Sequence, residues 1–310
     1  MWVIRIVEER CEKLFREAKV RGAMHLYSGQ EAVAVGTCNA LSGQDRLLFT
    51  YRSHGWALAR GMRVEALLGE LLGREEGCCK GRAGSKNLCD WSMGIFPSSA
   101  IVGANLPIAN GVALAARRLD EDRVVVTAFG EGATNQGVVH EALAQATIWN
   151  LPVVFVCENN LYAELTPASE FRPTAEVVDI AAAAAMPTLV ADGMDVEAVE
   201  ETAKVAVDRA RSGGGPTFIE YKTYRFCGHM TGDPQSYRTA DEVDQWRQRD
   251  PLEILAARLT DDGVGADELD EIRARAHEAV RSAEAAALEM SPPSVDDILA
   301  YAPSWMERTR

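Results

Sequence analysis

Two short stretches hold the residue types that could do chemistry. FGEGATNQG sets Glu131 between Gly130 and Gly132, directly after the apolar run VVVTAF, and LPVVFVCENN ends in Asn159 and Asn160. A carboxylate, a carboxamide oxygen and a main-chain carbonyl at the tips of neighbouring strands make a hard oxygen set. Such a set suits Mg2+, with phosphate oxygens and water completing the octahedron. Gly130 and Gly132 let the main chain approach a phosphate closely, and a helix beginning beyond them favours negative charge. The same spacing describes equally well an ordinary glycine-rich strand-to-helix turn with Glu131 as a capping acid. His25 in HLYSGQ and His229 in GHMTGDP stand in polar, glycine-flanked loops rather than on the apolar helix faces of structural histidines. Either could move or donate a proton. Arg52, in YRSHG, has the planar fork that matches phosphate oxygens, although a surface ion pair is the alternative. His140 and His277 fall inside helical patterns and read as structural.

Such groups need a frame that brings distant residues together. Strand 123–129, helix 136–149 and strand 152–157 read as a βαβ unit. Helix 175–186, strand 188–191, helix 195–212 and strand 216–223 continue the alternation. The pattern predicts an α/β fold, a mostly parallel sheet with helices on both faces, whose ligands bind beyond the carboxyl ends of the strands. Further helices are predicted at 1–20, 30–41, 64–74 and 104–118, and at 250–260 and 266–290. We read residues 1–310 as one domain, with a core over about 1–250 and C-terminal helices and tail over 251–310. The glycine-rich stretch 75–103 lacks periodicity. Trp91, Met93, Ile95 and Phe96 mark it as an ordered segment rather than a disordered one, and the last three could line a substrate pocket or the core. Gly111, in the Ala-rich helix, would let another helix or subunit approach closely.

Of the 310 residues 47% are hydrophobic, which permits a sizeable core, and the formal charge is −14. So acidic a chain is a poor general binder of nucleic acid or of anionic membranes. No run approaches the ~20 apolar residues of a membrane span. Residues 1–10 read as an amphipathic helix rather than a signal peptide. Seven cysteines without a CxxC pair point to a reduced, cytoplasmic setting. Cys78, Cys79 and Cys89 fit no zinc spacing well.

The segment GEGATNQGVVHEALAQATIWNLPVVFVCENNLYA resembles the thiamine-diphosphate motif of the alpha subunits of 2-oxo acid dehydrogenases. That group includes the pyruvate, branched-chain and acetoin dehydrogenases. HLYSGQEAVAVG, YRSHGWALARG, AIVGANLPIANGVALA, ADGMDVEAV, GPTFIEYKTYRF, GHMTGDPQSYR and the tail DDILAYAP have counterparts in the same order. The resemblance implies a thiamine-diphosphate-binding fold. In it, Glu131, the Asn160 side chain and the Tyr162 main-chain carbonyl would hold Mg2+ between the two cofactor phosphates. Tyr51 and Arg52 would contact the diphosphate, with Gly130, Gly132 and Ala133 in the turn beside it. The main chain around Val102 would meet the aminopyrimidine. His25 and His229 would be the catalytic histidines near the reactive end; His54 also resembles a family position, with a loop-supporting role as its equal alternative. Asp233, Tyr237 and Arg238 resemble a loop that the cofactor orders.

It further implies a beta subunit as partner, in an α2β2 heterotetramer active only when assembled. The enzyme would decarboxylate a 2-oxo acid or cleave an acyloin and pass the acyl group to a lipoyl group on an acyltransferase. An acyloin-forming carboligase subunit and a non-catalytic binding or scaffold subunit are the alternatives. Two departures from the family pattern bear on substrate and metal. Glu131 stands for the usual aspartate, and Lys86-Asn87 in GSKN stand where many relatives read Met-His.

Overall fold

The computed structural model describes residues 1–172 and 176–300. Seven strands occur among them: β1 (Arg46–Leu48), β2 (Val125–Gly130), β3 (Val153–Asn159), β4 (Tyr162–Ala163), β5 (Thr166–Pro167), β6 (Thr188–Asp192) and β7 (Thr217–Lys222). Five form one parallel sheet in the order β1-β2-β3-β7-β6. Nearly every residue of β2 and all of β3 is buried. A strand covered on both faces must be apolar without alternation, and VVTAF and VVFVC are.

Helices cover both faces, as the α/β alternation predicts. On one side α1 (Trp2–Arg16), α2 (Glu31–Asn39), α3 (His54–Ala59) and α4 (Val64–Leu71) share a core with Val126, Val154 and Ile219. On the other, α5 (Asn105–Arg118) and α6 (Gly137–Ile148) pack on Val125, Phe155 and Phe218. The α2 face is closely fitted, since a Cβ at Gly36 would lie 2.6 Å from the Val196 carbonyl oxygen.

Three elements differ from the sequence expectation. The helix expected over 175–186 begins at a residue outside the described ones. Within them, α7 (Ala168–Phe171) precedes α8, which is a single turn (Asp179–Ala182). The buried Glu220 carboxylate takes the Val177 and Val178 N–H groups, and Ala185 turns left-handed at φ 53°, so one turn is all that fits. After α9 (Val196–Arg211) comes an unforeseen helix, α10 (Ala240–Arg247), capped by Thr239. The β4–β5 hairpin was also unforeseen. The C-terminal helices α11 (Pro251–Asp261) and α12 (Ala266–Glu289) follow the prediction, and α12 returns Val280 and Ala287 to the core of α1 and α4. The final α13 (Val295–Ala300) takes up part of DDILAYAP; residues 301–303 of that segment lie outside the described ones.

Within 75–103 the anchor is Ile95, fully buried and bridged to Leu47 and Asp90. Trp91 is not an anchor. It is 64% exposed and rests edge-on against Phe96. The segment gains its order from buried Leu88 and Ile95 together with hydrogen bonds to buried side chains.

Candidate active site

Beyond the carboxyl ends of β2, β3 and β7 lies a cavity of about 250 Å³. Gly130 and Glu158 are register partners on β2 and β3, so Glu131 and Asn160, one and two residues later, emerge side by side. The Asn160 N–H donates to Glu131 Oε2 at 3.2 Å. The Asn160 amide donates to Gln30 Oε1 at 3.3 Å. Glu131 Oε1 and Asn160 Oδ1 are buried and have no hydrogen-bond partner. Two buried oxygens without donors cost free energy unless something electropositive meets them. Burial also pushes the Glu131 carboxyl up from its ordinary value, a penalty that a bound cation would reverse.

Leu161 then takes a left-handed backbone at φ 72°, a conformation that costs a non-glycine residue roughly 1–2 kcal/mol. The turn carries the chain straight back, so that Tyr162 and Ala163 line the same cavity. Gly132 serves this packing, because a Cβ there would fall 2.7 Å from that of Ala163. At Gly130 a Cβ would meet nothing within 4 Å. Gly130 is therefore the glycine that leaves the cavity open, and Gly132 is the one that lets the hairpin close on the turn. Asn159, by contrast, is a joint: its amide donates to Glu220 at 2.7 Å.

The remaining predicted residues converge from other elements. Tyr51, Arg52, Val102, Ala133 and His229 line the cavity. His25 stands 4.3 Å from the Tyr51 ring and 4.8 Å from that of His229. The Arg52 fork bonds the carbonyls of Leu26 (2.5 Å) and His229 (2.9 Å), and so fixes both histidine segments to the wall. His54 lies outside the cavity, buried between Glu8 (3.0 Å) and the Ser85 hydroxyl (2.9 Å). That is the loop-supporting role. His140 is exposed and caps the Thr134 carbonyl. Asp233 takes the His229 N–H (2.6 Å) and the Tyr237 hydroxyl (2.9 Å), so the GDPQSYR loop braces His229 directly.

Among the lining residues that escaped the sequence reading, two carry charge at the heart of the cavity, Arg225 and Glu158. Arg225 follows β7, buried, and its Nη1 faces His229 Nδ1 at 3.3 Å. A guanidinium can only donate, so Nδ1 accepts and the ring proton sits on Nε2. Burial and the neighbouring Arg52 charge bring Arg225 down to about 10. Glu158, on β3, is raised to about 7 by burial, and it holds the Tyr27 hydroxyl and the Trp56 indole N–H. Glu158 stands at a strand end, the signal that singled out Glu131, whereas Arg225 lies beyond the end of β7.

Burial and the Arg52 charge lower His25 to about 2 and His229 to about 3. Both are neutral in the fold, whereas in the unfolded chain they take protons near the ordinary ~6.5. Their contribution to stability is complete above that value and is lost as pH falls below it. Without ligand, the melting temperature of the double variant His25→Asn/His229→Asn should fall less steeply between pH 7 and 5 than that of the wild type. Calorimetric melts would show this, and parallel slopes would exclude it.

Among the described residues no helix is long and apolar enough to cross a membrane. A family model described as "Dehydrogenase E1 component" matches residues 1–295. The alpha subunit of acetoin:2,6-dichlorophenolindophenol oxidoreductase from Bacillus subtilis is 40% identical over 91% of this chain and 85% of its own length. The pyruvate dehydrogenase E1 component subunit alpha of Rhizobium meliloti is 40% identical over 96% and 85%. That of Saccharomyces cerevisiae mitochondria is 42% identical over 86% and 63%. With a cavity built on the Glu131–Asn160 turn pair and a match that runs almost from end to end, this chain belongs to the dehydrogenase E1 component family, on its alpha-subunit side.

Proposed function

We propose that the chain is the alpha subunit of a thiamine-diphosphate-dependent dehydrogenase acting on a 2-oxo acid or acyloin, and that it grips the cofactor diphosphate through Mg2+. The observation that carries the metal is the pair of donorless buried oxygens, Glu131 Oε1 and Asn160 Oδ1. The Tyr162 main-chain carbonyl, on the strained turn beside them, would be the third protein ligand. A carboxylate with two neutral oxygens is a donor set for a hard dication. When bound, thiamine diphosphate supplies the carbanion and the electron sink for breaking a carbon–carbon bond beside a carbonyl.

The chain's residues bind and orient. Arg52 and Arg225 bring two guanidinium groups to a cavity that Glu131, Glu158 and Glu164 also line. With a dication held at Glu131, the two guanidinium groups would offset the lining carboxylates and let a diphosphate enter. With Nδ1 facing Arg225, His229 can present its Nε2 proton to a phosphate or a carbonyl oxygen. Buried Glu158 and the Tyr27 and Trp56 donors close the floor against water.

The cavity is open on one side, where Val102 and Ile101 are 45% and 74% exposed. Ile108, Gly111, Ala115 and Leu119 continue this surface along one stripe of α5. An apolar stripe running into a polar cavity marks an interface, here the seat of the beta subunit that its alpha-type relatives imply. We place the assembly as α2β2, with a lipoyl group of an acyltransferase as acyl acceptor, in the reduced compartment that seven unpaired thiols favour.

Purified alone, the chain is expected to give no thiamine-diphosphate-dependent reduction of dichlorophenolindophenol from pyruvate or acetoin. Co-purified with its beta chain, it should do so only with Mg2+ and cofactor present. Ketol formation without lipoyl acylation would favour the carboligase reading. Absence of cofactor-dependent heat in calorimetry would leave only the scaffold reading.

A further inference from the structure

Glu242 lies outside the cavity, in the first turn of α10. Thr239-x-x-Glu242 has the spacing of a capping box, in which the glutamate reaches back to the main chain of the cap residue. Thr239 plays its part and accepts the Glu242 N–H at 3.2 Å. The Glu242 carboxylate is turned to two tyrosine hydroxyls. Tyr224 donates to its Oε1 at 2.7 Å. The hydroxyl of Tyr162, 80 residues away in the chain, lies 2.8 and 2.9 Å from the two oxygens. Tyr224 has a second hold on α10, since its ring stacks flat on Trp246 at 5.1 Å.

The main chain of Tyr162 belongs to the hairpin that lines the cavity. Across that hairpin the Ala168 N–H donates to the Leu161 carbonyl at 2.8 Å. Hydrogen-bonded and non-hydrogen-bonded pairs alternate along an antiparallel ladder. Tyr162 and Pro167, the next pair, are therefore of the second kind, and Pro167 has no N–H to give. The ladder makes no claim on the Tyr162 carbonyl. Two strands of two residues each, with Leu161 and Glu164 in left-handed backbone, do not hold a hairpin by themselves. What fixes this one is the buried Tyr162 ring, packed 5.4 Å from that of Tyr237 and tied at its hydroxyl to Glu242.

We infer that Glu242 is a positioning residue for the metal: through the Tyr162 ring it holds an unclaimed main-chain carbonyl at the cavity that Glu131 and Asn160 also line. The inference rests on the functional reading above and deepens it, since it names what sets the third ligand. Glu242 acts from the far side of the hairpin. Its loss is therefore felt as weaker retention of Mg2+, as with other outer-sphere contacts, and not as a missing group in the bond-breaking step.

The test uses the co-purified alpha–beta enzyme. Calorimetric titration with thiamine diphosphate at graded Mg2+ gives the Mg2+ concentration that half-restores cofactor affinity. Glu242→Ala should raise that concentration about tenfold, the lower end for losing an outer-sphere contact. Tyr162→Phe, which removes one oxygen, should raise it as much, and the double variant no further. Glu242→Gln should stay within about threefold of the wild type, because an amide oxygen still accepts the hydroxyl, if more weakly. Tyr224→Phe should move it less than about twofold, since the stacked ring stays in place. Excess Mg2+ should restore turnover in Glu242→Ala, which a merely structural loss would not allow. An unchanged Mg2+ requirement in Glu242→Ala, additive effects of Glu242→Ala and Tyr162→Phe, or no rescue by Mg2+ would overturn the inference. If Glu242→Ala does not assemble, Tyr162→Phe decides alone: a requirement raised about tenfold upholds the inference and an unchanged one overturns it. Wild-type cofactor binding indifferent to Mg2+ would bring down the metal reading by itself. Amide exchange in the unliganded chain then decides on Glu242. Exchange at Ala168 at least about tenfold faster in both variants upholds its hold on the hairpin, and unchanged exchange removes it.

Discussion

Glu131→Gln is expected to weaken binding of thiamine diphosphate with Mg2+ by at least ~100-fold while leaving the unliganded chain as stable as the wild type or more so. The two effects have opposite signs for one reason. In the empty site the Glu131 carboxylate is fully buried, with one oxygen unpartnered and its proton affinity raised by desolvation. Ionised and alone, it is a liability to the fold. Glutamine has the same shape, can accept the Asn160 N–H in place of Oε2, and carries no charge to desolvate. With the dication present the balance reverses, because the amide cannot supply the anionic ligand that a hard ion requires. Loss of an outer-sphere contact alone weakens metal sites 10–100-fold, and a directly ligating carboxylate should exceed that. Thermal melts without ligand and calorimetric titration of the alpha–beta assembly read the two halves separately. Wild-type-like cofactor affinity in the variant would remove the metal role. A large fall in unliganded stability would mean that Glu131 is a structural acid after all.

The parts of this site that the sequence reveals are those fixed by local rules. A strand buried on both faces must be apolar throughout, so β2 and β3 were visible, and with them the residues at their tips. The places of Glu131 and Asn160 follow from residue type and strand end, whereas their proposed metal role needed the family resemblance as well. Other parts depend on partners far along the chain. Glu158 sits inside the same motif, yet its place in the floor is set by Tyr27 and Trp56, 131 and 102 residues away. Arg225 depends on His229 and on the Glu164 carbonyl across the hairpin. That hairpin turns on Leu161 and Glu164 in left-handed backbone, and neither residue type announces such a turn. The charge is the broadest example. A total of −14 reads as a repulsive surface, but many of the acids are inside. Glu8, Glu31, Asp45, Glu70, Glu158 and Glu220 are all at most 3% exposed. They serve as acceptors for main-chain N–H groups, arginines and hydroxyls that irregular segments leave unpaired. Composition counts such acids and cannot say which way they face.

Glu70 is the clearest of these, and Glu70→Ala should destabilise the chain by at least ~4 kcal/mol. It lies on α4 in VEALLGEL, where a helical pattern alone would take it for a solvated acid. Its carboxylate instead accepts four main-chain N–H groups, those of Cys79 and Gly81 on Oε2 (both 2.8 Å) and of Ala83 and Gly84 on Oε1 (2.7 and 3.0 Å). The stretch 77–84 has no strand to pair with, and buried N–H groups must find acceptors somewhere. Gly77 permits the approach, since a Cβ there would stand 2.6 Å from the Glu70 main chain. Because both oxygens are occupied, the closeness of Cys78 and Cys79 to this carboxylate is a consequence of the clamp rather than a metal set. A hydrogen bond to a charged group contributes roughly 1.5–3 kcal/mol, non-additively when one group receives several. Alanine would orphan all four donors at once and leave a void. Opening should be local first: amide exchange over 77–86 should approach solvent rates while the β2 and β3 amides stay protected. Glu131 and Asn160 belong to other elements, so the assembled variant should still bind thiamine diphosphate with Mg2+ within a few-fold. Ser85 and Lys86 follow the clamp directly and tie to Ser53, His54 and Ser98 next to the lining residues Arg52 and Ser99, so turnover by the assembled enzyme should fall well beyond that. Cofactor binding lost together with turnover would show one cooperative unit, and unchanged exchange over 77–86 would show that the loop is held from elsewhere.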